Sequence, residues 1–193
     1  MVAVGAADVV AAPMTTWDQS QGKFVTYDPA NFPRGGGGGR AYSAIPRQTV
    51  SYDGPHGPNT IIVNTAERRL YLVLENGKAL KYGIGVGRDG FTWSGTHRVT
   101  RKAEWPGWTP PPAMRAREKA KGRILPAYME GGPNNPLGAR ALYIGSTIYR
   151  IHGTSEPWTI GQAVSSGCIR MVNDDVIDLY ERVNVGAKVV VLN

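Results

Sequence analysis

Between positions 59 and 103 short apolar runs alternate with turn residues at a spacing that fits strands rather than helices. The pattern predicts strands over 59–65, 69–74 and 79–86, and Asn76-Gly77, between Leu74 and Leu80, is a two-residue hairpin signal. A further strand is expected over about 97–103. From 105 to 112 the prolines remove backbone donors, so no regular ladder continues there. A long excursion begins instead: 113–121 is helix-compatible and basic, and 126–138 is punctuated by glycine and proline. Strands return over 139–144 and 147–152, joined through Gly145-Ser146. The excursion precedes the strand that ends at His152, which suits a lid or groove wall. Trp105, Trp108 and Tyr128 fit either lining that groove or packing inside it.

One helix is clear beyond position 172. Val176, Leu179, Tyr180 and Val183 fall at i, i+3, i+4 and i+7, Asn173 suits the N-cap, and Asp174 and Asp175 favour a helix N-terminus. As adjacent residues of a first turn, those two aspartates point apart and do not read as a catalytic pair. Gly186 leads into a closing apolar strand over 187–192. The first 47 residues lack such patterning. They hold the run Arg34-Gly-Gly-Gly-Gly-Gly-Arg40, a tether by composition, and scattered aromatics at Trp17, Phe24, Tyr27 and Phe32. The chain therefore divides into an N-terminal extension, 1–47, read as a loosely ordered tail, and a domain over 48–193.

A chain of 193 residues with 41% hydrophobic and 19% charged residues, 25 glycines and 14 prolines is sized for one turn-rich domain. No apolar stretch approaches the roughly 20 residues that span a bilayer. The net charge of +7 is concentrated: between Arg98 and Arg123 eight basic residues face only Glu104 and Glu118. That segment reads equally as a solvated face or as an attractive surface for anionic partners. Nucleic acid is not expected as a partner, because no binding motif accompanies the charge.

The sole cysteine, Cys168, lies in Ala163-Val-Ser-Ser-Gly-Cys-Ile-Arg-Met171, sixteen residues after His152 of a His-Gly-Thr at 152–154. One cysteine makes neither an internal disulfide nor a Cys-rich metal cage, which leaves a buried inert thiol or a nucleophile. The polar, glycine-containing run around it favours a turn with amides aimed at a ligand. A thiol of ordinary pKa, about 8.5, needs a base to attack an amide, and His152 at a strand end supplies one. Cys168 is thus read as nucleophile and His152 as its general base. The amides of Gly167 and Cys168 are the natural oxyanion donors, with Ser166 offering a hydroxyl. Arg170 suits either a substrate carboxylate or a structural ion pair.

These residues resemble the signature of the L,D-transpeptidase catalytic domain, the YkuD family. Trp105-Pro-Gly-Trp-Thr-Pro-Pro-Pro112 and Gly131-Gly-Pro-Asn-Asn-Pro-Leu-Gly138 are similar to segments preceding the histidine in Gram-negative members, and the likeness runs from about Asn59 to the C-terminus. Where many members carry histidine just before the Gly-Cys, this chain has Ser166, as other members do. With the strand count, the resemblance implies a mainly β fold: a mixed, mostly antiparallel sandwich or distorted barrel with one C-terminal helix and a helical or loop lid. It places Gly153 and Thr154, with Ser166, Gly167 and Arg170, at the oxyanion and substrate-binding site, and a backbone carbonyl near the cysteine as the partner of His152. It implies a peptidoglycan tetrapeptide stem as acyl donor, a thioester on Cys168, and acylation by carbapenems. The acceptor is a stem amine giving a 3-3 cross-link, an outer-membrane protein, or water in a carboxypeptidase. No metal or organic cofactor is implied. A non-catalytic wall-binding module is the alternative of a different class, and a papain-like peptidase is disfavoured by the order of cysteine and histidine. The implied location is the periplasm or cell wall. The opening residues 1–12, interrupted by Asp8, make a poor secretory signal, so an export signal is expected elsewhere.

Overall fold

The computed structural model describes residues 14–18, 23–27, 45–89, 93–145 and 147–193. In chain order the strands are Met14–Asp18 (β1), Lys23–Tyr27 (β2), Gln48–Ser51 (β3), Ile61–Asn64 (β4), Arg69–Val73 (β5), Lys78–Gly83 (β6), Val86–Gly87 (β7) and Gly95–Glu104 (β8). They continue with Arg140–Ile144 (β9), Arg150–His152 (β10), Ala163–Ser165 (β11), Ile169–Arg170 (β12) and Lys188–Leu192 (β13). The helices are Pro112–Ala120 (α1) and Asn173–Arg182 (α2).

The valine-rich closing strand is central. β13 pairs in parallel with β4 and antiparallel with β8, so it joins the early strands to the late ones within a nine-stranded sheet of order β12-β10-β9-β8-β13-β4-β5-β6-β3. Most pairings are antiparallel; β10 with β12 and β4 with β13 are parallel, which makes the sheet mixed. It curls without closing into a barrel. The chain leaving β6 reaches the opposite end of the sheet, where Gly85 and Arg170 exchange backbone hydrogen bonds of 2.9 Å each way. Just beyond, β7 pairs with β11.

The apolar positions of β4, β5, β6, β9, β10, β12 and β13 converge on one core, covered by Val176 and Leu179 of α2 and by Val183 just past its end, all fully buried. Burying such side chains contributes roughly 1.5–3 kcal/mol each. Lys102 on β8 secures the far end of that helix: its ammonium donates to the carbonyls of Tyr180 at 2.6 Å and Val183 at 2.7 Å, which the helix itself leaves unpaired. The excursion between β8 and β9 has a small core of its own, Trp108, Leu125 and Leu137 with Met114 and Met129 against it. Trp108 and Met129 bridge through reciprocal backbone bonds of 2.8 Å, while Trp105 and Tyr128 remain exposed.

Much of the concentrated basic charge is engaged internally. Besides Lys102, Arg123 pairs with Glu118, Arg98 donates to the Gly186 carbonyl at 2.8 Å, and Arg101 lies 3.6 Å over the Tyr143 ring. Several elements differ from the sequence reading. β1 and β2 form an antiparallel hairpin inside the segment read as a tail, with Trp17 opposite Phe24; the glycine run 35–39 lies outside the described residues. β3 was not expected, because a solvent-facing edge strand of polar residues shows no apolar alternation. The strand expected over 147–152 is only β10. Thr147 instead folds a turn, its hydroxyl donating to the Ile144 carbonyl at 2.6 Å and accepting from the Tyr149 amide at 3.0 Å. Among the described residues no helix is long and apolar enough to cross a membrane.

Candidate active site

The parallel pairing of β10 with β12 sets Ile151 beside Ile169 and His152 beside Arg170. Side chains alternate along a strand, so the two isoleucines, 0% and 1% exposed, face the core, and His152 and Cys168 both turn to the other face. There they line one groove, walled by Trp108, Pro111 and Met114 of the excursion and by Ile148 and Tyr149 before β10. The strand pairing thus brings together two residues sixteen positions apart in the chain.

His152 is 3% exposed. Its Nδ1 lies 2.6 Å from the carbonyl oxygen of Gly153, and because a carbonyl only accepts, Nδ1 carries the proton and Nε2 is left bare. The orienting carbonyl therefore follows the histidine in sequence instead of neighbouring the cysteine. Burial, then the charges of Arg170 and Arg150, bring the imidazole down from 6.5 to about 3, against smaller upward effects of the Gly153 and Leu137 backbones. The ring is a neutral base at physiological pH. Burial pushes the partly exposed Cys168 thiol up, offset in part by the Arg150 charge, its backbone and Arg170. Both shifts favour the uncharged forms, thiol and imidazole, at neutral pH.

The turn carrying the thiol is held from both sides. Ser165 donates its hydroxyl to the Cys168 carbonyl at 2.6 Å and accepts the Gly167 amide at 3.1 Å. Gly167 has φ +104°, a region that L side chains rarely adopt, and Tyr149 occupies the space a Cβ would need. Trp93 donates its indole N–H to the Gly167 carbonyl at 2.7 Å and stacks on Tyr149 at 4.7 Å. Ser165, Trp93 and Tyr149 were not among the residues selected from sequence. The serine hydroxyl next to a Gly-Cys turn was a local signal; the aromatic pair is assembled only by the fold.

The remaining expected residues are distributed as follows. The Gly167 amide, expected as an oxyanion donor, is engaged by Ser165, which leaves the Cys168 amide as the backbone candidate. Ser166 lines the groove and its hydroxyl accepts from Arg117 at 3.4 Å. Arg170 also lines the groove, yet of its two readings the ion pair is the one present: its guanidinium donates to Glu156 at 2.8 Å, with the side chains 3% and 2% exposed. Thr154 is buried and its hydroxyl accepts the Glu156 amide at 2.9 Å, so it shapes the turn that presents Glu156 to Arg170. Gly153 supplies the carbonyl that orients His152. Among the described residues no group of three or more His, Cys, Asp or Glu side chains comes together to hold a metal ion.

His152 at the end of β10 and Cys168 just before β12 thus share one groove at the edge of a mixed sheet. The L,D-transpeptidase catalytic domain, YkuD, matches over residues 58–191, and the chain belongs to that family. It is 43% identical over 150 residues to a probable L,D-transpeptidase of Escherichia coli K12, YbiS, spanning 75% of this chain and 47% of that protein. The chain thus spans about half the length of the curated relatives it matches. Among solved structures, a Brucella melitensis protein described as a probable carnitine operon oxidoreductase is 43% identical, covering 78% of this chain and 95% of that one, with a TM-score of 0.51. The catalytic domain of an Enterococcus faecium L,D-transpeptidase, solved acylated by ertapenem, shares the fold at 19% identity and a TM-score of 0.53, covering 72% of this chain and all of that one.

Proposed function

We propose that the protein is a cysteine-dependent peptidoglycan L,D-transpeptidase of the periplasm or cell wall, acting on tetrapeptide stems. The observation that carries this reading is the shared groove of Cys168 and His152, with Nδ1 of the imidazole bonded to Gly153. Nε2 takes the thiol proton as sulfur attacks the carbonyl carbon between the L-centre of diaminopimelate and the terminal D-alanine. The oxyanion is met by the Cys168 amide. The C–N bond then breaks, the D-alanine amine leaves with the proton held by His152, and the acyl group remains on sulfur as a thioester. His152 deprotonates the incoming amine, which attacks the thioester and returns the free thiol. An amine of a second stem gives a 3-3 cross-link, an amine of an outer-membrane protein gives an anchor, and water gives a trimmed tripeptide.

Arg150 and Arg170 favour the two forms this sequence needs, the thiolate and the unprotonated imidazole. The reading is tested by D-alanine release from a disaccharide-tetrapeptide. Wild type is expected to release it, and Cys168→Ala and His152→Ala proteins of unchanged fold are not; release by purified Cys168→Ala protein would refute the assignment.

A further inference from the structure

Asn173 does not cap the helix it begins. It is the first residue of α2, whose N-cap position is Val172, and no side-chain bond caps the helix. Its side-chain Oδ1 instead accepts two backbone N–H groups from outside the helix, Ala139 at 3.0 Å and Thr154 at 3.3 Å. These two residues continue the register in which Ala141 faces His152 across β9 and β10. The Gly153 amide still donates to the Arg140 carbonyl at 3.0 Å, and one step further Oδ1 stands between the strands and takes both amides. Gly138 and Gly153 leave the room for it: a Cβ on either would collide with Oδ1.

The consequence follows from the planarity of one peptide group. The Thr154 N–H and the Gly153 C=O belong to the same trans peptide, so they are rigidly coplanar and point in opposite directions. The N–H is bonded to Asn173 and the C=O to Nδ1 of His152. Fixing one end of that plane fixes the other, and the donated N–H also polarises the carbonyl that holds the imidazole. We infer that Asn173 is a positioning residue for the catalytic pair, setting the orientation of His152 through the 153–154 peptide. It occupies the place that a side-chain carboxylate or amide takes in a direct triad, with one peptide group interposed. Both bonds use the oxygen as acceptor, so the role requires an oxygen at this position and not an amide nitrogen.

The inference rests on His152 assisting Cys168, and the test separates the two. The rate of Cys168 alkylation by iodoacetamide at fixed neutral pH, together with kcat and KM on a tetrapeptide donor, would be measured for wild type, Asn173→Ala, Asn173→Asp and His152→Ala. Asn173→Ala is expected to lower both the alkylation rate and kcat by about tenfold or more with KM little changed, as expected for a lost buried hydrogen bond of the charge-separating step. Asn173→Asp keeps the acceptor at a helix N-terminus that favours its charge, and should hold both rates within about threefold of wild type. A purely structural role would lower the melting temperature of Asn173→Ala yet leave the alkylation rate of the folded protein unchanged. Alkylation of Asn173→Ala at the wild-type rate while His152→Ala is slowed would overturn the inference alone. A wild-type rate in His152→Ala as well would overturn the pairing beneath it. Should Asn173→Ala not fold, a folded Asn173→Asp slowed by more than about tenfold would equally contradict the positioning role.

Discussion

Trp93 donates its indole N–H to the carbonyl of Gly167 at 2.7 Å, and this bond ties the thiol-bearing turn to the stack of Trp93 on Tyr149. The Gly167 carbonyl and the Cys168 amide share one peptide plane, so the indole helps to aim the proposed oxyanion donor. Trp93→Phe keeps an aromatic ring available for Tyr149 and removes only the donor. It is expected to lower kcat about tenfold on the tetrapeptide donor, since a misaimed oxyanion donor is lost mainly in the transition state. Thermal stability should change little. An unchanged kcat would show that the turn holds its shape through Ser165 alone.

The pH dependence of acylation distinguishes a neutral pair from an ion pair. With the imidazole brought down to about 3 by burial, then by Arg170 and Arg150, the base is unprotonated from mildly acidic pH upward. The single-turnover acylation rate of folded enzyme should therefore show no inflection near the ordinary histidine value of 6.5. An inflection there would mean that the groove is more hydrated than its burial implies.

The same shifts act on stability through linkage. The unfolded imidazole binds a proton below about 6.5 while the folded one does not until about 3, so protonation favours unfolding and stability falls as pH drops through that window. The thiol is shifted upward, so the unfolded state loses its proton first, and stability falls again as pH rises above 9.0. Melting temperature against pH should be highest between these limits. In a folded His152→Gln protein the acid decline should be shallower, and an identical decline would assign it to other groups.

Breaking the buried Glu156–Arg170 pair should be costly. Removing one partner leaves the other charge buried, and such losses run about 3–5 kcal/mol. Glu156→Ala is accordingly expected to lower the midpoint of chemical denaturation strongly, by an amount in that range. A small effect would indicate that the freed guanidinium reaches water through the groove that Arg170 lines.

What the sequence disclosed and what it concealed follow a physical division. Cys168 and His152 were legible because a lone thiol has few structural uses and because the strand ending at His152 shows its own local pattern. The helix α2 was legible from Val176, Leu179 and Val183, whose spacing is a property of the helix itself. Asn173 was misread for the converse reason. Asn-Asp-Asp ahead of an apolar period has the local chemistry of a cap, whereas its actual partners lie 34 and 19 positions away in the chain. For Arg170 the sequence left a substrate carboxylate and a structural ion pair both open, because its partner Glu156 lies 14 positions away and is brought to it by the fold. The two-residue strands β7 and β12 carry no periodicity to detect, yet β12 forms the sheet edge beside His152 and β7 pairs with β11 ahead of the thiol turn.

The most direct test of the account is intact-protein mass spectrometry of wild type and Cys168→Ala after incubation with a disaccharide-tetrapeptide donor. Wild type alone is expected to carry a covalent adduct with the mass of the donor less D-alanine, discharged when an amine acceptor is added. Folded, reduced wild type that forms no adduct and releases no D-alanine would contradict it.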